Sequence, residues 1–177
     1  LPLDPNMNFL AVAENRFVLS NGGQGVVVMD LQQSIPFIVS KRLGRGERKC
    51  RPLIIPEAFP STLGDDDMIA LLACGVEFGR LSARTVALRA MPVIVSEVDP
   101  QRFGTHVLEQ LAAGASYLEA VASGAGVAFQ TPSGIGDCRR WFANLKEQLD
   151  ELGGFAEGFT APLTAAELAR LFESEKR

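Results

Sequence analysis

The chain has one histidine, one tryptophan and one tyrosine, and its three cysteines stand far apart at 50, 74 and 138. With no CxxC pair and no Cys/His cluster there is no zinc-finger spacing, so the cysteines are expected to be small buried hydrophobes. No apolar run approaches the roughly 20 residues that span a bilayer. The opening Leu1-Pro2-Leu3-Asp4-Pro5-Asn6 lacks the basic and apolar regions of a signal peptide. It lacks an initiator Met too, which reads as a fragment beginning in a linker. A basic excess is also missing: the net charge is −4, against an autonomous nucleic-acid binder. Four G-x-G steps occur, at residues 23, 44, 124 and 134. None has the third glycine of a dinucleotide loop, and no G-K-[ST] exists, so an ATPase core is excluded.

Two more features carry less chemistry than they suggest. His106 has no Ser or Cys beside it in a nucleophile-like motif, and a boundary position on a helix suits it better than a general base. Asp65, Asp66 and Asp67 are consecutive, so on a helix their side chains diverge and cannot converge on one cation. They suit a helix start, where the dipole favours negative charge.

What is present is an ordinary globular composition, 47 % apolar and 21 % charged over 177 residues, enough for one core or two small lobes. Apolar segments over 9–19 and 25–30 flank Asn21-Gly22-Gly23-Gln24, which predicts a hairpin. A helix follows over 31–42, with Pro36 tolerated if it lies in the first turn. Residues 44–49 read as a basic hinge. A helix is expected over 61–74, closed by Gly75, and then strands over 76–81 and 85–91. Asp99-Pro100 opens another helix with Phe103, Val107 and Leu111 on one stripe. Residues 115–136 suggest a short helix broken by Gly124 and Gly126. A clear helix over 137–152 buries Cys138, Trp141, Phe142, Leu145, Leu149 and Leu152. Thr164 and Glu167 fit a capping box, with Leu163 and Leu168 as its hydrophobic staple.

Two apolar stretches closed by proline stand out: Arg51-Pro52-Leu53-Ile54-Ile55-Pro56 and Val86-Ala87-Leu88-Arg89-Ala90-Met91-Pro92. Proline gives no amide hydrogen to a sheet, so each reads as a brief buried strand that stops abruptly. Their order, after the hairpin and before the 163–172 segment, resembles the C-terminal domain of MutL, the DNA mismatch-repair protein. The resemblance implies an α+β fold of short mixed strands packed with helices in two lobes. Residues 1–46 and 132–177 would form the dimerisation lobe and 47–131 an inserted external, regulatory lobe.

Such domains are either metal-dependent nicking enzymes or dimerisation modules. In the nicking kind the second hairpin strand ends in Asp-Gln-His-Ala, with two glutamates further along the helix. Here Asp30 is followed by Leu31, Gln32 and Gln33, and Pro36 and Lys41 hold the glutamate positions. A lysine puts positive charge where a cation should sit. The regions matching the family's remaining Cys and His ligands, 124–128 and 154–158, contain neither. The resemblance is therefore to the non-nicking type, with no catalytic residue, metal or other cofactor in this fragment.

The implied function is homodimerisation and docking in a cytoplasmic, nucleoid-associated mismatch-repair protein that carries an N-terminal ATPase elsewhere. The implied partners are MutS, a separate endonuclease and a helicase, with DNA touched only weakly and no membrane. The 51–56 strand matches a segment that in many members binds the replication sliding clamp, although Arg51 replaces the usual glutamine. The hairpin itself does not alternate. Phe17, Leu19, Val26, Val27, Val28 and Met29 make both of its faces apolar, and a symmetric partner is the simplest cover for the second. Two other classes stay open: a nicking endonuclease with unaligned ligands, and a small-molecule-binding regulatory domain.

Overall fold

The computed structural model describes residues 6–23, 25–95, 98–151 and 158–173. In chain order the elements are β1 (Asn8–Ala13), β2 (Phe17–Gly22), β3 (Gly25–Asp30), α1 (Leu31–Gly44), β4 (Cys50–Pro60) and α2 (Asp65–Leu72). Then come β5 (Glu77–Ser82), β6 (Thr85–Pro92), a short 3-10 turn, α3 (Pro100–Ala112), α4 (Tyr117–Ala128), α5 (Ile135–Glu151), β7 (Thr160–Pro162) and α6 (Ala165–Glu173). This is an α+β fold in which both sheets are antiparallel. The chain divides into two compact units, residues 1–34 with 131–177, and residues 35–130. The first division falls inside α1, and the 44–49 connector lies within the second unit.

In the first unit the strands run in the order β1-β2-β3-β7. The segment 9–19 is two strands rather than one. Glu14 and Asn15 have φ of 53° and 51°, the left-handed pair that a tight two-residue turn requires. Asparagine takes that conformation readily and glutamate does not, which hides the turn from a reading of turn residues. A bulge in β1 lets Phe9 and Ala11 face opposite sides and leaves Leu10 half exposed. The inner face carries the rows Val12–Val18–Met29–Thr160 and Phe9–Ser20–Val27–Pro162. Val18, Ser20 and Met29 are fully buried there, and Phe9 meets Phe142 of α5 edge-to-face at 6.0 Å. The α5 face is close to expectation. Cys138, Phe142, Leu145 and Leu149 are buried, while Trp141 is half-buried and Leu152 lies outside the described residues. The capping box opens α6 as expected: Glu167 accepts from the amide and hydroxyl of Thr164, and Thr164 Oγ1 accepts from the Glu167 amide. The Leu168 side chain of the expected staple lies outside the described residues.

In α1 the proline sits deeper than the first turn. Pro36 is the sixth residue of the helix, so the usual bond from position 36 back to the Gln32 carbonyl is not made.

The second unit has the order β4-β6-β5. Central β6 is buried as expected, with Val86 and Leu88 at 0 % exposure. Asp99 caps α3 by accepting the Arg102 amide at 2.8 Å, with Pro100 at the first position. Helix α4 is continuous through Gly124 and Gly126, against the expectation of a break. A Cβ on Gly124 would lie 2.9 Å from Val107 Cγ2 and 3.3 Å from the Phe103 ring. Glycine there serves close approach of α4 to α3, not a turn.

Candidate functional site

Asp30 ends β3 and begins α1, and its carboxylate is fully engaged. It accepts from Arg16 Nε at 2.9 Å and Arg16 Nη2 at 2.6 Å. It also accepts from the amides of Gln32 at 3.0 Å and Gln33 at 3.3 Å, so it caps the helix as well. Burial alone would push its carboxyl up. The Arg16 hydrogen bond and charge, with the two amides, outweigh that and hold it below the usual carboxylate range. A bidentate guanidinium is thus already seated where the nicking kind would present a ligand to a divalent ion. Among the described residues no group of three or more His, Cys, Asp or Glu side chains is placed to hold a metal ion. At the two glutamate positions, Pro36 has no ligating side-chain atom and Lys41 Nζ lies 5.5 Å from the Phe37 ring centroid. Gly124, Ala125, Gly126 and Ala128 are buried in the packing of α4 while Val127 is exposed, and residues 154–157 lie outside the described residues.

The 51–56 stretch differs from the brief buried strand expected. It belongs to β4, which runs eleven residues to Pro60 along the edge of its sheet. Ile54 is 101 % exposed and Ile55 74 %, with Arg51, Pro52 and Pro56 also exposed and only Leu53 half-buried. The pairing with β6 is interrupted between Pro52 and Glu57. Two prolines without amide hydrogens bracket that interruption, which is how they are tolerated in a strand.

The apolar residues of the first sheet separate by parity. Leu19 pairs with Val28 and Asn21 with Val26, so Phe17, Leu19, Val26 and Val28 share the outer face. Val27 and Met29 belong to the inner face, with Met29 fully buried. One outer row, Ala11–Leu19–Val28–Ala161, crosses all four strands without a polar side chain. Leu19, Val28 and Val26 are half-buried while Ala11 and Ala161 are exposed. At one end of the face Asp30 stands opposite Phe17, and the Arg16 guanidinium lies 4.9 Å from the Phe17 ring centroid. The sequence pattern of the MutL C-terminal dimerisation domain matches residues 10–125, from β1 into α4.

The chain belongs to the MutL C-terminal dimerisation domain family. It is also similar to the DNA mismatch repair protein MutL of Herminiimonas arsenicoxydans, 27 % identical over 111 residues. That alignment covers 58 % of this chain and 18 % of the relative, so the chain spans a small part of the length of the curated relative it matches.

Within this MutL domain the remaining expected residues are scattered. Tyr117 donates to Asp67 at 2.8 Å, Asp65 pairs with Arg80, and Asp67 also accepts the Gly64 amide, so Asp65 and Asp67 serve different neighbours. His106 Nε2 lies 2.7 Å from Ser123 Oγ, joining α3 to α4. Seventeen residues separate that pair in sequence, and only the helix packing brings it together. Cys138 is buried and Cys74 half-buried, but Cys50 is exposed at the start of edge strand β4, contrary to expectation. Among the described residues no helix is long and apolar enough to cross a membrane. Two features of the candidate site were not visible in the sequence. Arg16 as the partner of Asp30 needed the hidden turn at 14–15, and Ala161 needed β7, whose three residues carry no strand pattern.

Proposed function

We propose that this domain homodimerises a MutL-like mismatch-repair protein through the outer face of its first sheet, and that it does not itself cut DNA. The observation that carries the reading is the apolar row Ala11–Leu19–Val28–Ala161 on a face the chain leaves half open. An apolar face of this extent is characteristic of an interface, and a symmetric copy supplies an identical face to cover it. Parity makes the test specific. Val26→Asp with Val28→Asp should leave the domain folded and monomeric by sedimentation. Val27→Asp with Met29→Asp should unfold it, because an unpaired charge enters the closed core. A wild-type chain that sediments as a monomer at tens of micromolar would refute the dimer.

The non-nicking part of the reading is supported by the Arg16 clamp on Asp30, since a divalent site needs several oxygen or nitrogen ligands free to bind. Supercoiled plasmid incubated with the domain and manganese should stay intact. Nicking that disappears in Asp30→Ala would overturn it. In the full-length protein this domain would sit beside an ATPase, in the cytoplasm, and dock other repair proteins.

The exposure of Ile54 and Ile55 favours a second role for β4 as a strand read by the replication sliding clamp. Arg51 weakens it, because guanidinium only donates hydrogen bonds whereas a glutamine amide also accepts. Arg51→Gln should bind the clamp more tightly in a fluorescence-anisotropy titration. Equal affinity of the two forms would remove the clamp from β4.

A further inference from the structure

Along the first sheet's outermost strand runs an open groove of about 610 Å³, lined by Asn8 and Phe9 of β1 and by one side of α5. Its α5 wall is Arg139, Phe142, Ala143, Lys146, Glu147 and Asp150. These positions recur at three- and four-residue spacing, so they form a single stripe that borders the buried one and shares Phe142 with it. The volume is in the range of ligand-binding clefts, and an aromatic pair, Phe9 and Phe142, makes its floor. The cations are held in place by that floor. The Arg139 guanidinium lies 5.0 Å from the Phe9 centroid, and Lys146 Nζ lies 5.9 Å from that of Phe142 and donates to the Met7 carbonyl at 2.8 Å. Charge is sorted along the helix: Arg139 and Lys146 come first, Glu147 and Asp150 last. Among the described residues β1 has a paired neighbour on one side only, so part of its backbone is turned toward the sheet edge.

We infer that this groove binds an extended segment of a partner protein, with an apolar side chain over Phe9 and Phe142, an acidic residue at Arg139 and a basic one at Glu147 and Asp150. An elongated cleft with an apolar middle and opposite charges at its ends is complementary to a strand of that composition, and an open strand edge gives such a segment backbone partners. The spacing is set by the helix. Residues 139 and 150 are about 16 Å apart at 1.5 Å per residue, which an extended chain covers in about five residues at roughly 3.3 Å each.

The probe is a phage-displayed library of random nonapeptides panned against the whole chain. Enriched peptides should carry an acid and a base four to six positions apart around an apolar centre. By fluorescence anisotropy the tightest of them should bind the Arg139→Glu, Asp150→Lys double variant at least tenfold more weakly. That variant should instead select the reversed charge order. Ala143→Arg fills the groove from an exposed helix position, should abolish binding, and decides the matter if the double variant does not fold. No enrichment, enrichment without charge order, or equal affinity for wild type and variants overturns the proposal. So does a change in solution mass in the double variant, which would make the groove a contact between copies of this chain.

Discussion

The two sheets of this molecule expose apolar surface in different places. In the first sheet it is a face: four strands contribute Ala11, Leu19, Val28 and Ala161 to one row, and each strand lends a single residue. In the second sheet it is at the edges: β4 projects Ile54 and Ile55 and β5 projects Leu81, while central β6 between them keeps its apolar residues buried. A broad shallow face suits another broad face, as when two copies pack sheet against sheet. Two prominent isoleucines on a strand that has lifted from its neighbour suit a partner with a pocket. The contrast shows that apolar content does not decide burial. Position within the sheet does, and what is left exposed differs in shape between the two sheets.

The largest effect that sharpens this contrast lies within the second sheet. Leu88 and Ile54 belong to the two similar-looking proline-closed stretches, yet one is at 0 % exposure and the other at 101 %. Leu88→Ala should destabilise the domain by about 2–5 kcal/mol, through lost burial and the cavity left behind. Ile54→Ala should change stability by no more than about 0.5 kcal/mol, because no contact is lost. Urea unfolding of the two variants measures both. A loss above about 2 kcal/mol for Ile54→Ala would mean that β4 is covered in solution, and the edge would then no longer be the exposed element of the pair.

The sequence made most local signals legible. The capping groups at Asp99 and Thr164, the left-handed stop at Gly75 (φ 78°) and the buried stripe of α5 all follow from short-range rules. What escaped depends on contacts from elsewhere in the chain. Gly124 looked like a breaker because its role is to let Val107 and Phe103 approach, and those residues lie on another helix. β4 looked buried because its composition is that of a core strand, whereas only its place at the sheet edge exposes it. The parity of the hairpin could not be read at all from runs of consecutive apolar residues, since either alternation is then equally apolar. For the candidate site, the departure from Asp-Gln-His-Ala after Asp30 was visible, but the ion pair that Asp30 makes was not. Its partner Arg16 follows a turn that no turn-forming pair announces.

That ion pair gives the smallest expected effect, and it probes the boundary of the outer face. Asn at position 30 still caps a helix, so Asp30→Asn isolates the ion pair with Arg16. Arg16 is 37 % exposed and Asp30 16 %, so solvent screens the pair and the variant should lose only about 1 kcal/mol at neutral pH. The folded domain lowers the Asp30 pKa, so this stabilisation is fully present above the unfolded carboxyl value of about 4 and is lost as pH falls through the lowered folded value. The gap between wild type and Asp30→Asn should therefore close as pH drops below about 4, and should narrow with added salt at pH 7. A gap that persists unchanged to pH 2 would show that the variant acts by something other than the ion pair. Protein concentration adds a further lever. Asp30 and Phe17 end the proposed interface, so covering that face by a second copy would shield the ion pair from water and strengthen it. The pH-sensitive gap, followed by urea unfolding above and below the concentration at which the chain associates, should then be larger in the associated form. An equal gap at both concentrations would place Asp30 and Arg16 outside the covered surface and restrict the interface to the row through Leu19 and Val28.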